Sequence, residues 1–391
     1  MGSVSDYIKA RKKKESSLRM GSLKEIAEAQ QYPPISTGNV VLDYVTSIGG
    51  IPRGLVTEIR GETGAGKTTA ATQTAAQHQK RVQAGESTGA ILFMDFEYAV
   101  NDEYFRNLGI DTEDEETFIY YQPDNLEEGF QTALDMTKAG LLGMIIVDSV
   151  AGAPAAAEMD ADVGKQFIGT KAKALNQVFR MIVGPLRVHG VALVLINHEQ
   201  VKIPQTFAEK QAAMRGIQEK ISPGGKPIEY YTSLRIALGK PSLKKTEVQD
   251  DLINDKSKQV TATEVEAYAF KNKLGHPHRK GKMRVHFGKG FSQTYSSFTI
   301  LVDHKIIKKK AGGHYDFPEA LLPAEGKVPV GEDNVVDAID SDPDWKKRIV
   351  EVAEALVLKK QNTVEEDEVI LLDDIEDATI DEETGEVLTD E

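Results

Sequence analysis

The chain reads as an α/β protein built on a mostly parallel central sheet, and three observations predict it. Residues 91–95, 144–148 and 191–197 are apolar almost throughout and alternate with stretches of helical periodicity. Runs of that kind mark strands covered on both faces, whereas a half-exposed strand alternates apolar with polar residues. A glycine-rich turn, residues 61–68, joins an apolar strand at 55–60 to an alanine-rich helix that runs from Lys67 to about Gln79. Polar residues end the runs, at the sheet edge where open α/β folds gather their ligands.

The remaining elements follow in chain order. Residues 1–33 hold two short amphipathic patterns, at 4–8 and 23–27, stopped by Pro33-Pro34. They are too few to build a core and are expected to dock onto another surface. A later set, 230–238, 264–270 and 283–287, alternates more and is expected to pair antiparallel, extending the sheet. From Glu365 to Glu391 there are fourteen Asp and Glu and no Lys or Arg, so this tail carries the whole net charge of −14. With few large apolar residues it is expected to be disordered.

Composition narrows the class. With 391 residues, 40% hydrophobic and 28% charged, the chain has the make-up of a soluble globular protein. No run approaches the roughly 18 apolar residues of a membrane span, and the Lys/Arg-rich start lacks an apolar stretch, so a cytoplasmic protein is expected. The absence of cysteine rules out disulfides, thiol catalysis and thiolate metal sites. Because residues 1–364 sum to about zero charge, basic clusters can act within the body, at 9–14, 271–284 and 305–310. Each is either a solvated face or a surface for an anionic partner.

The chemistry concentrates on Gly61-Glu62-Thr63-Gly64-Ala65-Gly66-Lys67-Thr68, followed by Thr69. A G-x-x-x-x-G-K-[ST] turn between strand and helix exposes successive N–H groups to phosphate oxygens, so a nucleoside triphosphate is the expected ligand. Lys67 would neutralise the β and γ phosphates, and the Thr68 hydroxyl would take one position on Mg²⁺. Asp148 ends an apolar run before Ser149 and is expected to hold the Mg²⁺ shell through water, the alternative being a simple turn-forming Asp. Glu97 lies two residues past the 91–95 strand and is the candidate for deprotonating an attacking water, the alternative being a helix N-terminal Glu. Asn197-His198 ends the next strand and opens residues 199–223, where Lys202, Phe207, Lys210 and Arg215 follow no strong period. His198 could couple nucleotide state to the order of that basic segment.

These motifs stand in a collinear series. Residues 35–43 and Gly49-Gly50-Ile51-Pro52-Arg53-Gly54 lead into the phosphate loop; then come Met94-Asp95-Phe96-Glu97, residues 104–111, Gln122-Pro123-Asp124 and Ile146-Val147-Asp148-Ser149-Val150. Ile196-Asn197-His198, Gly224-Gly225, Phe270-Lys271-Asn272-Lys273 and Gly312-Gly313-His314-Tyr315 complete it. The series, over roughly residues 1–320, resembles the RecA recombinases, including the phage recombinases of the UvsX type.

The resemblance implies a RecA-like ATPase core and an ATP-dependent DNA strand-exchange protein that polymerises on single-stranded DNA, then pairs it with homologous duplex. It implies an oligomerisation segment at 1–33, a core at 34–292 with two DNA-binding loops, a small α/β C-terminal domain at 293–364, and the acidic tail. ATP and Mg²⁺ are the implied cofactors. Single-strand-binding and mediator proteins are candidate partners. By the same resemblance Glu97 matches the catalytic glutamate and Tyr104 the ring near adenine. Lys271 and Lys273 match lysines that reach the ATP of a neighbouring subunit. The first DNA loop spans about 158–169, with Ile168 and Gly169 at its contacting end and Lys173 and Arg180 at nearby phosphate contacts. The second spans about 199–223, with Lys202, Ile203, Gly224 and Gly225 at matching positions and Phe207 inside it. The chain departs from the bacterial pattern at His198, where Gln is usual, at Gln200 in place of Arg, and in the extra length of the second loop. A hexameric helicase of the same core fold and a non-catalytic regulatory ATPase are the competing readings.

Overall fold

Apolar runs buried on both faces make the centre of the molecule. A computed structural model describes residues 3–14, 19–159, 169–201, 220–239, 241–250, 255–360, 379–380 and 387–388. In it β1 (Val56–Gly61) pairs in parallel with β5 (Ala192–His198) on one side and β8 (Thr232–Leu238) on the other. Outward from β5 lie β4 (Leu142–Asp148), β2 (Ala90–Asp95) and β3 (Phe118–Tyr121), all parallel. Beyond β8 the direction reverses: β10 (Asp255–Asn272) runs antiparallel to β8, and both β11 (Lys280–His286) and β9 (Ser242–Asp250) run antiparallel to β10. The short β12 (Gly290–Phe291) closes that edge, giving ten strands. A separate ladder of β6 (Gln200–Val201) with β7 (Lys220–Ile221) joins the two ends of the second expected DNA loop.

Every residue of β2 and β4 is buried, as two-sided covering requires. On one face Ile59, Phe93, Ile146 and Val194 pack against the small side chains Ala70, Ala71 and Ala75 of the helix Lys67–Gln83. On the other face Leu92, Met94, Ile145 and Leu195 meet Phe130 and Phe179 of the helices Leu126–Lys138 and Thr170–His189. Phe298 and Trp345, from the helices Gln293–Asp303 and Pro343–Lys360, belong to the same hydrophobic cluster as Ile59. The C-terminal helices therefore share the core of the sheet. Among the described residues no helix is long and apolar enough to cross a membrane.

The antiparallel extension appears at β10 and β11, but the expectation for 230–238 needs correcting. Tyr230 and Tyr231 end a short helix, Lys226–Tyr231, started by Gly225 with a proline at its first turn. The strand begins only at Thr232 and is parallel to β1. The long crossover at 199–231 permits this, because only antiparallel neighbours can be joined by a tight turn. The N-terminal patterns form the helices Val4–Lys14 and Leu23–Glu28, and the phosphate-loop helix continues to Gln83.

Candidate functional site

The C-terminal ends of β1, β2, β4 and β5 meet at one cavity of about 360 Å³. The chain leaves β1 at Gly61, where a Cβ would come within 2.6 Å of the Leu238 carbonyl oxygen, so only glycine lets the loop start against β8. Gly66, at φ 82°, caps the following helix in the left-handed region that glycine adopts freely. Lys67 is buried within this turn and its ammonium donates to the Glu62 carbonyl at 2.9 Å. Burial lowers its pKa, and the charges of Asp148 and Glu97 oppose the shift.

Thr68 Oγ1 donates to Asp148 Oδ2 at 2.7 Å, so the two residues expected to share Mg²⁺ are already in contact. Burial raises the Asp148 pKa to about 7, Glu97 and Asp95 push it the same way, and Thr68 and Lys67 pull it down. A buried carboxyl among other carboxylates, beside a hydroxyl, is a donor set suited to a hard cation. Glu97 lies in the bend after β2, not on a helix. Its Oε1 accepts from Ser149 Oγ and lies 3.2 Å from His198 Nε2. Asp95 shapes that bend by accepting from the Glu97 and Tyr98 amides and the Tyr120 hydroxyl. Sequence reasoning did not single out Ser149 or Asp95 for these contacts, which depend on the register of β2 against β4.

At the other end of the cavity Thr69 Oγ1 and the Tyr104 hydroxyl are 2.6 Å apart. The facing wall is Val285, His286, Phe287 and Gly288, at the end of β11. These four were missed; the only hint was an aromatic residue followed by Gly288 at the end of an alternating strand.

Lys271 and Lys273 are not part of this cavity. Lys271 pairs with Arg235 on β8, which pairs with Glu58 on β1, three residues before Gly61. The Lys273 amide donates to the Ser233 carbonyl, closer still to the start of β8. The two lysines therefore lie about 10 Å or more back along the sheet from the phosphate loop. Burial lowers the Lys271 pKa, and Lys273 and Arg235 reinforce it; its ammonium donates to the Glu229 carbonyl.

Of the expected DNA contacts, Ile168, Lys202, Ile203 and Phe207 lie outside the described residues. Gly169, at φ 80°, caps the helix Thr170–His189. Lys173 and Arg180 are exposed on it, seven residues apart and so on one face about 10 Å apart. Gly224, at φ 95°, leaves no room for a Cβ, which would fall 2.6 Å from Ile228 and 2.7 Å from Leu175 of that same helix. A Cβ on Gly225 would lie 3.6 Å from Ala172. The ends of the two expected loops thus meet at one place. Lys171, not foreseen, donates to the Ala151 carbonyl at 2.8 Å and ties this helix start to the chain after Asp148-Ser149.

The model of the RecA N-terminal domain family matches residues 5–292. The chain belongs to the RecA family. Among its relatives are Protein RecA of Deinococcus radiodurans, 31% identical over 81% of this chain and 77% of that protein, and Protein RecA of Thermus thermophilus, 30% identical over 81% and 83%. Protein RecA of Wigglesworthia glossinidia brevipalpis is 29% identical over 87% of this chain and 93% of its own length.

At the two described ends of the second expected loop this RecA-family chain buries a charged network that sequence reasoning did not find. Arg235 Nε donates to Glu58 Oε2 at 2.6 Å, with Glu58 fully buried. Asn197 Nδ2 donates to Glu58 Oε1 and to the Pro223 carbonyl. Arg60 pairs with Glu199 at 3.3 Å. Alternate residues of β1, β5 and β8 place these groups on one sheet face, a coincidence that single runs read as apolar strands do not announce.

Proposed function

We propose that this RecA-family chain is an ATP-dependent DNA recombinase, which polymerises on single-stranded DNA and pairs it with a homologous duplex. The observation that carries the reading is one cavity uniting the phosphate loop, the Thr68–Asp148 pair and the Glu97–His198 pair. In this reading the N–H groups of 61–66 and the Lys67 ammonium hold the ATP phosphates, and Thr69 and Tyr104 flank the base. Thr68 and Asp148 would hold Mg²⁺, whose charge offsets that of the phosphates. Glu97 orients a water in line with the γ-phosphorus and takes its proton as the bond to the bridging oxygen breaks and ADP leaves. His198, in reach of Glu97 at the end of β5, senses the γ-phosphate and leads directly into the second loop.

Lys271 and Lys273 complete the site of the next protomer, since their own phosphate loop lies about 10 Å or more further along the sheet. The loop ends at Gly169 and at Gly224-Gly225, with Lys173 and Arg180, bind the DNA backbone, together with Ile168, Lys202, Ile203 and Phe207. Residues 1–33 serve oligomerisation, 34–292 form the core, 293–364 a C-terminal unit and 365–391 an acidic tail; the protein works in the cytoplasm. ATP hydrolysis measured with and without single-stranded DNA tests the proposal, with electron microscopy of the assembly. Stimulated hydrolysis and open helical filaments are expected; closed rings would favour a helicase, and no DNA stimulation would end the recombinase reading.

A further inference from the structure

The second expected DNA loop is held at both ends by Arg60, joined at the second end by Arg235. Glu199, the first residue after His198, is held twice at the junction of β1 with the phosphate loop: its amide donates to the Gly61 carbonyl at 3.3 Å, and its carboxylate pairs with Arg60 at 3.3 Å. The two side chains are only 13% and 7% exposed. At the other end of the loop Ser222 Oγ lies 3.2 Å from Arg235 Nη2 and 3.5 Å from Arg60 Nη1. Both guanidinium groups stand against one ring, Phe270, with Cζ 3.9 Å and 4.8 Å from its centroid. Phe270 falls at the register shift between Ala269 and Lys271 on β10, and such a bulge re-aims side chains.

We propose that Arg60 is a positioning residue which, through Glu199, Ser222 and Phe270, makes the base of the second loop move with the phosphate loop. This rests on the recombinase reading above. Arg60 is the residue before Gly61, so any shift of the phosphate loop on filling with nucleotide is delivered one residue away to a buried ion pair. In a low-dielectric setting that pair separates only at high cost, so Glu199 follows Arg60 and does not detach from it. The guanidinium lies over the Phe270 ring with its charge 3.3 Å from the Glu199 carboxylate, and a compact ammonium cannot reproduce that planar stacking. Phe270 immediately precedes Lys271, so the same cluster links one protomer's nucleotide to the lysine serving the next. Arg235 is locked to Glu58 as a fixed post, whereas Arg60 reaches the residue next to the γ-phosphate sensor.

The test is ATP hydrolysis as a function of single-stranded DNA for the full chain and for Arg60→Met, Arg60→Lys and Glu199→Gln, alongside fluorescent-nucleotide binding. Given a DNA-stimulated wild type, Arg60→Met is expected to cut the stimulation ratio about tenfold, a usual size for coupling between sites, with nucleotide affinity kept within about threefold. Arg60→Lys should recover less than half of the loss, and adding Glu199→Gln to Arg60→Met should cost nothing further. Stimulation within about twofold of wild type in both Arg60→Met and Glu199→Gln overturns the proposal. Should Arg60→Met fail to fold, Glu199→Gln decides by the same threshold. A wild type that DNA does not stimulate would instead remove the recombinase reading on which the inference stands.

Discussion

The two ends of the β1–β8–β10 segment differ in what they gather. At the C-terminal end of β1 the phosphate loop, Thr68, Asp148, Glu97 and His198 line one cavity, with Thr68 bonded to Asp148 and Glu97 within reach of His198. About 10 Å back along the sheet Lys271, Lys273 and Arg235 crowd together, and burial, reinforced by Lys273 and Arg235, depresses the Lys271 pKa. Carboxylates gather around Lys67 at the first, whereas at the second Glu58 and Glu229 pair with Arg235, and Lys271 and Lys273 stand beside them. A single chain thus holds the groups proposed for hydrolysis in one cavity, whose lining does not include Lys271 or Lys273.

The largest expected effect comes from breaking the first end. Lys67→Ala should abolish ATP-supported filaments, whereas Glu97→Gln should bind ATP normally and slow turnover by about 10²-fold or more, leaving long-lived filaments. Steady-state hydrolysis, nucleotide binding and electron microscopy separate the two outcomes. Normal turnover by Glu97→Gln would remove it from the base role.

Next in size is the loss of the second end. Lys271→Ala with Lys273→Ala should keep nucleotide binding in the monomer within about twofold and lose DNA-stimulated hydrolysis by about tenfold or more. Mixing this variant with Lys67→Ala sharpens the comparison, because hybrid interfaces would unite an intact phosphate loop with intact lysines. Recovery of hydrolysis is expected; its absence would mean that the lysines act within their own chain.

A smaller effect concerns stability of the first end. His78, on the phosphate-loop helix, has Nε2 3.0 Å from the Gly89 carbonyl, and burial pushes its pKa down to about 4. The unfolded chain binds a proton near pH 6.5 that the folded chain refuses, so stability is full above about pH 6.5 and falls as pH drops toward 4. His78→Gln keeps a donor for Gly89 but does not titrate. Denaturation curves at pH 7.5 and 5 should show wild type losing about 2 kcal/mol more than the variant. Asp43, raised to about 6 by burial, titrates with the opposite sign in both proteins and cancels in the difference.

The smallest effect belongs to a competitor for the cationic surface. The fourteen carboxylates of 365–391 resemble a phosphate track, so truncation after Val364 should tighten duplex-DNA binding about two- to fivefold at low salt, with the gain shrinking as salt rises. Binding titrations at two salt concentrations check it, and an unchanged low-salt affinity would leave the tail a role in solubility alone.

Local signals carried much of this molecule. The phosphate loop could be read because its chemistry needs contiguous residues, with Gly61 and Gly66 at required positions and Lys67 and Thr68 at the helix start. The parallel core could be read from β2, β4 and β5 because two-sided burial makes whole runs apolar. Other features depend on register, which no local pattern specifies. Thr68 meets Asp148 across eighty residues, Gly224 packs on Leu175, and Phe287 walls the cavity that Thr63, Lys67 and Thr69 line from the other side. The parallel direction of β8 was set by a crossover whose length the pattern at 230–238 does not encode.

The sequence by itself determined the family, the α/β class, the nucleotide loop and the pairing of carboxylate with strand end, since each rests on neighbouring residues and the period of burial. Only the tertiary structure decided that Lys271 and Lys273 lie back along the sheet from their own phosphate loop, and that Glu58, Arg60, Asn197, Glu199 and Arg235 share one buried network. The physical reason is that charge is stable inside a protein only when partners from separate strands converge, and that convergence exists only once the sheet has formed.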